Sequence, residues 1–182
     1  MTPRSRQRLR LVLVLLLFAI PLLAAIVLHA LDWRPPGTRN HGELIEPPRD
    51  LTHARFLLED GTPLAWRDAD WSWTVFAIAG PDCAQACLAR IDELRRVRVS
   101  LNENAPRVRV LVVGTTLPAA MRAALSPVAM VDDADARLAD LRPSAGELAA
   151  ALADPHGFLV MHYAPGYDAS GLRKDLSRLV KQ

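Results

Sequence analysis

Cys83 and Cys87 are the residues in this sequence whose type and spacing can support distinctive chemistry. They are the only cysteines in the 182-residue chain, and three residues separate them. Residues four apart on a helix share one face, with Cβ atoms about 5–6 Å apart, so the two sulfur atoms can reach one another or a common ion. The pair can therefore form a reversible disulfide or bind a soft metal such as Cu(I).

The predicted start of a helix at the cysteines bears on their reactivity. Asp82 is the predicted N-cap, with Gln85 completing a capping-box-like pair, and this places Cys83 at the first helical position. The positive end of the helix dipole stabilises a thiolate there, whereas the neighbouring Asp82 carboxylate opposes it. Two buried, inert thiols or a fixed local disulfide are the structural alternative, because free cysteine often serves as a small core residue.

The elements around the cysteines form a βαβ unit. The uninterrupted apolar run 73–78 predicts a strand buried on both faces, ended by Gly80-Pro81. A second buried strand is predicted over 108–113, with a right-handed crossover between the two. The intervening helix is amphipathic, with one face made of Cys83, Cys87, Ile91, Leu94 and Val97. The cysteines thus follow the carboxyl end of a central strand, where α/β sheets bind ligands.

The remaining segments predict an α/β sandwich around a mixed sheet. An early hairpin has its turn at Asp60-Gly61, and residues 118–125 form a short helix. The sequence Asp154-Pro155-His156-Gly157 fits a type I turn at every position, so it predicts a second hairpin whose first strand ends near Ala153. Ser170 is the predicted N-cap of a final helix.

The amino-terminal segment predicts a membrane anchor. Residues 11–30 carry no charge and give a helix of about 30 Å, the thickness of a bilayer core. Four arginines, at positions 4, 6, 8 and 10, predict an amino terminus in the cytoplasm, and in a Gram-negative bacterium the folded part would then face the periplasm. A cleaved signal peptide is the alternative. Without these arginines acidic residues outnumber basic ones, and nothing indicates nucleic-acid binding.

These patterns divide the chain into four parts. Residues 1–10 are a basic cytoplasmic tail and 11–31 the transmembrane anchor. Residues 32–50 are a proline-rich linker, expected to be a semi-rigid spacer. Residues 51–182 are the folded domain, long enough to bury its own core.

Three motifs of the folded domain resemble the thioredoxin-like Sco family. They are residues 56–61 (FLLEDG), the strand from Trp73 that leads into Gly80-Pro81-Asp82-Cys83-x-x-x-Cys87, and the turn at 154–157. The resemblance covers roughly residues 50–182 and is closer to small single-pass bacterial relatives associated with cytochrome c oxidase biogenesis. It implies a thioredoxin-like sandwich with a mixed sheet, preceded by one transmembrane helix in the inner membrane.

The resemblance also implies roles for individual residues. In Sco proteins the two cysteines of this motif bind copper, so Cys83 and Cys87 would be copper ligands or a redox dithiol. The third ligand of the family is a histidine about nine residues before the proline of the Asp-Pro turn, and Gly146 stands at that position here. His162, on the strand after the turn, is the candidate substitute metal ligand.

The sequence therefore predicts a membrane-anchored periplasmic assembly factor acting through Cys83 and Cys87. It would exchange disulfides, handle Cu(I), or both, with a cytochrome oxidase subunit or another assembly factor as partner. In the redox version Cys83 attacks a partner disulfide and Cys87 resolves the mixed disulfide. The alternative is a non-catalytic scaffold or binding module with structural cysteines. A peroxidase or general thiol oxidase ranks third, because Asp82 opposes the very acidic thiol that strong oxidants need.

Overall fold

The computed structural model describes residues 3–31 and 40–181, and the chain divides into two compact units, residues 1–39 and 40–182. The first unit contains helix α1 (Pro3–Ala30). Within it, Val12–Ala30 has a mean hydropathy of 2.9 and is long and apolar enough to cross a membrane. This helix fits the predicted anchor. Residues 32–39, the first part of the predicted linker, lie outside the described residues.

Residues 40–181 form a seven-stranded sheet with helices. The strands are β1 (Glu43–Asp50), β2 (Phe56–Leu58), β3 (Trp73–Ala79), β4 (Val108–Val113), β5 (Ala129–Asp133), β6 (Leu148–Ala153) and β7 (Phe158–Tyr163). The α-helices are α2 (Gln85–Val99), α3 (Ala119–Ala124) and α4 (Ala169–Leu179), and short 3₁₀ helices cover Asn102–Arg107 and Ala139–Leu141. This arrangement confirms the predicted α/β fold with a mixed sheet.

The strand order in the sheet is β1-β7-β6-β3-β4-β5-β2. β3 is parallel to β4, and β4 is parallel to β5, whereas the other neighbouring strands are antiparallel. The chain moves outward from β3 to β5 and then returns to place β6 on the other side of β3. The order therefore reverses beside the carboxyl end of β3, the kind of point at which open α/β sheets bind ligands.

The sheet separates two apolar cores, and β3 contributes to both. Val75 and Ala77 belong to the core that also contains residues of α2 and α4, whereas Phe76 and Ile78 belong to the core on the opposite face. Alternate residues of a strand point to opposite faces. Burial on both faces explains why the run is apolar without alternation, as the sequence predicted.

The prediction that residues 32–50 form a linker is wrong for residues 43–50, which are edge strand β1, antiparallel to β7. The prolines at 47 and 48 favoured a spacer, but an edge strand tolerates proline because one side of it needs no N–H donor. The pairing register shifts between Leu44 and Arg49, where these prolines lie. The compact unit therefore begins at Asn40.

Two helix starts also differ from the prediction. The N-cap of α4 is Asp168, whose carboxylate accepts two backbone N–H bonds from the first turn, and Ser170 lies inside the helix. The N-cap of α2 is Ala84, not Asp82. Asp82 has a φ of 54°, in the left-handed region, whereas an N-cap residue has extended backbone.

Both predicted hairpin turns form. Around the first, the amide of Leu58 donates to the carbonyl of Thr62, and that of Gly61 donates to the carbonyl of Leu58. At the second, the Asp154 carboxylate accepts from the amides of His156 and Phe158, which closes the turn between β6 and β7. β6 ends at Ala153, and α3 lies within residues 118–125, as the sequence predicted.

One buried carboxylate joins α4 to the start of β1. Asp175 accepts hydrogen bonds from the backbone amides of His41 (2.8 Å) and Gly42 (3.2 Å) and from the hydroxyl of Tyr163 (2.9 Å). Nδ1 of His41 lies 3.2 Å from its other oxygen. Burial raises the pKa of Asp175, but these hydrogen bonds outweigh burial and hold the pKa below its usual value. The side chain is therefore an ionised anchor within the domain.

Candidate functional site

Cys83 and Cys87 form a disulfide at the start of α2, with their Cα atoms 5.2 Å apart. Cys87 lies in the first turn of α2 and is 0% exposed. Cys83 precedes the cap residue Ala84 and is partly exposed. The prediction that Cys83 is the first helical residue is therefore wrong by two positions. The burial difference makes Cys83 the sulfur that a partner can approach.

Small residues surround the exposed sulfur. Pro81, Asp82, Ala84 and Ala86 are all exposed, and only the aspartate among them carries a charge. The longest exposed side chain in this segment is that of Gln85, two residues after Cys83. A large reactant such as a folded protein can approach the disulfide here.

The loop before β6 holds the disulfide loop in place. The amide of Gly80 donates to the carbonyl of Glu147 (3.0 Å), and the amide of Gly146 donates to the carbonyl of Pro81 (2.7 Å). A Cβ atom at Gly80 would lie 2.0 Å from the carbonyl oxygen of Ser144. Glycine is therefore required at the end of β3 because two backbones approach closely.

The guanidinium of Arg142 joins the carboxyl ends of β3 and β4. Its Nε donates to the carbonyl of Ala79 (3.2 Å) and its Nη2 to the carbonyl of Gly114 (2.7 Å). In the part of the chain that the structure describes, Arg142 has no ion-pair partner. Its hydrogen bond to Ala79 holds the end of β3, where the disulfide loop begins. Sequence reasoning missed this residue because a single arginine in a loop has no local signature.

The structure does not bring His162 to the cysteines. His162 lies on β7 opposite Glu43 of β1. Its neighbours Met161 and Tyr163 belong to the core that contains Cys87, so the alternation of the strand points His162 to the other face of the sheet. Burial lowers the pKa of His162, with the Glu43 carboxylate acting in the opposite direction.

The two sulfur atoms are the candidate copper donors at the site. Among residues 3–31 and 40–181, no group of three or more His, Cys, Asp or Glu side chains is arranged to hold a metal. Gly146, at the position where the Sco resemblance places a histidine, has a φ of 76°, and a Cβ atom there would meet no atom within 4 Å. The sulfur atoms become soft-metal ligands only when the disulfide is reduced.

Comparison with known families decides the classification. Residues 73–182, which begin with β3 and include both cysteines, match the family described as "Transmembrane-like, thioredoxin-like, C-terminal domain". The chain belongs to this family. The membership agrees with an apolar amino-terminal helix followed by a thioredoxin-like domain. No curated protein matches the chain in sequence.

Solved structures show the same thioredoxin-like fold. Arabidopsis thaliana ScoI with copper bound has a TM-score of 0.53 at 13% identity, covering 78% of this chain and 98% of that chain. A putative thiol:disulfide interchange protein DsbE from Chlorobium tepidum has a TM-score of 0.51 at 12% identity, covering 73% of this chain and 97% of that chain. A SCO1/SenC family lipoprotein from Bacillus anthracis has a TM-score of 0.50 at 16% identity, covering 74% of this chain and 98% of that chain. The fold that the Sco resemblance implied is confirmed.

Proposed function

We propose that this chain is a membrane-anchored thiol–disulfide exchange protein that acts on a partner protein outside the cytoplasm. One observation carries the proposal: a partly exposed Cys83 is bonded to a fully buried Cys87 at the carboxyl end of the central strand. An exchange protein needs one sulfur that meets the partner and a second that is shielded and resolves the complex.

The reduced form performs the exchange in two steps. The Cys83 thiolate attacks one sulfur of a partner disulfide, that disulfide breaks, and the partner's other sulfur leaves as a thiolate that takes up a proton. Cys87 then loses its proton and attacks the Cys83 sulfur, which releases the second partner thiol and forms the Cys83–Cys87 disulfide. The partner gains two electrons and this chain loses two. A dithiol reductant in the same compartment restores the reduced form.

The anchor and the Sco resemblance support a compartment and a class of partner. The arginines in the first part of α1, before its apolar stretch, favour an amino terminus in the cytoplasm and a periplasmic domain. Disulfides persist in that compartment. The partner we propose is a cysteine site on a cytochrome c oxidase subunit or on another assembly factor at the inner membrane. Reduction of that site would prepare its thiols to bind metal.

Copper handling is the second candidate, and the proximity of the two sulfur atoms supports it. The Arabidopsis ScoI structure contains copper, and paired thiolates suit Cu(I). Gly146 stands where the resemblance expects a histidine ligand. The absence of a histidine at this position favours disulfide exchange over copper handling. A Cu(I) titration of the reduced protein against a chelator tests this candidate. Tight one-to-one binding that the double serine variant loses supports copper transfer, and absence of competitive binding removes it.

Covalent trapping of the partner tests the exchange function. The full-length protein carrying Cys87→Ser should accumulate as a mixed disulfide in membranes, because the resolving thiol is missing. The Cys83→Ser protein should form no such complex. Non-reducing electrophoresis and mass spectrometry identify the complex and the partner. A complex that forms equally with Cys83→Ser, or forms in neither variant, contradicts the proposal.

Complementation separates exchange from the scaffold alternative. If the cysteines are structural, a double variant with serine at 83 and 87 restores oxidase activity to a deletion strain. Exchange predicts that the double variant fails although it is present in the membrane at the wild-type level.

A further inference from the structure

A cavity of about 790 Å³ lies where β4 and β5 diverge. The last backbone pairing between these strands joins Val112 to Met130. Beyond it the chain leaves β4 through residues 114–117 towards α3, and the space between this loop, α3 and the β2 hairpin is open. Its volume lies within the range of pockets that bind small ligands.

The lining of the cavity combines apolar and polar groups. Leu57, Leu117 and Met130 contribute apolar surface, and Thr115 and Thr116 contribute hydroxyl groups. None of the hydrogen bonds found within the described residues uses either hydroxyl. This combination suits an apolar side chain together with the polar backbone that carries it.

Arg122 provides a donor that the chain itself does not use. Its Nη1 is 2.7 Å from Oε2 of Glu59, an ion pair that connects α3 to the β2 hairpin. Its Nε is buried and, within the described residues, has no acceptor. A buried donor without an acceptor is unfavourable, so an oxygen atom supplied by a ligand would stabilise this part of the cavity.

The cavity lies at the end of the sheet from which the disulfide loop leaves, and its lining includes residues of both cores, with Leu58 and Val131 on the face opposite α2. Cys83, Leu117 and Met130 all pack against the same core. Gly114, which lines the cavity, is joined through Arg142 to the residue that ends β3. β5 lies two strands from β3 in the sheet, and neighbouring strands are about 4.8 Å apart, so the lateral separation between β5 and the strand that leads into the disulfide loop is about 10 Å, the length of about three extended residues.

We propose that this cavity binds an apolar side chain of the partner polypeptide, about three residues from the partner cysteine that Cys83 attacks. The inference rests on the proposed function. A backbone carbonyl of the partner accepts from Nε of Arg122. The charged lining residues are Glu59, Asp132 and Arg122, whose net charge is negative and disfavours an acidic partner side chain. The preferred substrate is therefore an extended, non-acidic segment with leucine, isoleucine or methionine at that distance.

Peptide disulfides test the inference on the full-length protein in lipid nanodiscs. Each peptide carries one cysteine as a mixed disulfide with nitrothiobenzoate, and one leucine is moved through positions one to four on either side of it. Cys83 attacks the peptide sulfur and expels coloured nitrothiobenzoate, after which Cys87 attacks Cys83 and releases the peptide thiol. Leucine at the favoured position should raise the rate constant about tenfold over serine, and glutamate should lower it.

Two variants assign the preference to the cavity. Arg122→Met removes the unsatisfied donor, and Thr116→Trp fills the space, so both should reduce the leucine-to-serine ratio towards one. Arg95→Met is the matched control, because Arg95 also forms an ion pair, with Asp92, but lies on α2 away from the cavity. The control should keep the ratio of the wild type.

The outcomes separate this inference from the proposed function. Exchange without any positional preference, or a preference that both cavity variants retain, overturns the inference and leaves exchange standing. If no peptide reacts, the proposed function fails, and the cavity is then tested on the oxidised protein with fluorescent cysteine-free peptides. Leucine-dependent binding that Thr116→Trp abolishes supports the cavity, and absence of binding overturns it.

Discussion

The backbone amide of Gly146 donates a 2.7 Å hydrogen bond to the carbonyl oxygen of Pro81, two residues before Cys83. The position at which the Sco resemblance expects a histidine therefore lies beside the disulfide loop. A side chain at 146 would have room, since no atom lies within 4 Å of a Cβ placed there. What the chain lacks at this position is the ligand itself, not the space for it.

Gly146→His should convert the cysteine pair into a tighter copper site. The new imidazole adds a third donor, and we expect the reduced full-length protein to bind Cu(I) at least about tenfold more tightly in a chelator competition. The left-handed φ of 76° adds a strain of about 1–2 kcal/mol. Gly61→His is the control, because Gly61 has a φ of 80° and equal space at the β2 hairpin. Equal affinity in the two variants would refute the placement of residue 146.

Gly80→Ala should displace the disulfide loop. The added Cβ would lie 2.0 Å from the Ser144 carbonyl oxygen, so backbone has to move. We expect a loss of about 1–3 kcal/mol in the free energy of unfolding, together with slower disulfide exchange. Denaturant unfolding and stopped-flow exchange measure the two effects. Wild-type values for both would show that the contact between the two loops does not position the cysteines.

Arg142→Gln should destabilise the carboxyl ends of β3 and β4. The side chain donates to the carbonyls of Ala79 and Gly114, and the loss of two charged donors should lower the free energy of unfolding by about 1–3 kcal/mol. Arg142→Lys should restore little of the lost free energy of unfolding, because an ammonium group lacks the planar fork of donors that spans both carbonyls. Full recovery in the lysine variant would mean that charge alone matters here.

Asp175→Asn should remove part of the acid sensitivity of the fold. Because the folded-state pKa of Asp175 is lowered, the ionised side chain stabilises the fold above its unfolded pKa of about 4, and this stabilisation is lost as pH falls through the folded pKa. At pH 7 the variant should be less stable, by roughly 1–3 kcal/mol. Unfolding curves collected from pH 7 downwards should converge for the two proteins. Curves that stay parallel would exclude this role.

The sequence predicted the central elements because their patterns are local. The apolar run of β3 and the stripe of α2 each lie within a single element, and the turn at 154–157 is set by its own residues. The sequence did not predict β1, because Pro47 and Pro48 are typical of a spacer. Its position at the edge of the sheet, where proline is tolerated, depends on the fold. The cap of α2 was missed because nothing local reveals the left-handed backbone of Asp82.

The candidate site was only partly predictable for the same reason. Cys83 and Cys87 are recognisable from spacing alone, but their difference in burial depends on the packing of α2 against the sheet. Arg142 reaches a carbonyl 63 positions earlier in the chain. Gly80 and Ser144 also meet only in the folded sheet. The direction of His162 depends on the pairing of β7, so its distance from the cysteines could not be read from the sequence.

Differential alkylation measures whether Cys83 and Cys87 form an exchangeable pair with one accessible sulfur. The full-length protein is reduced with a dithiol, pulsed with a small alkylating agent, and digested for mass spectrometry. We expect the disulfide to be reduced and to reform reversibly, and Cys83 to be modified at least about tenfold faster than the buried Cys87. A disulfide that stays oxidised in excess dithiol while the protein remains folded, or a Cys87 modified as fast as Cys83, would contradict this expectation.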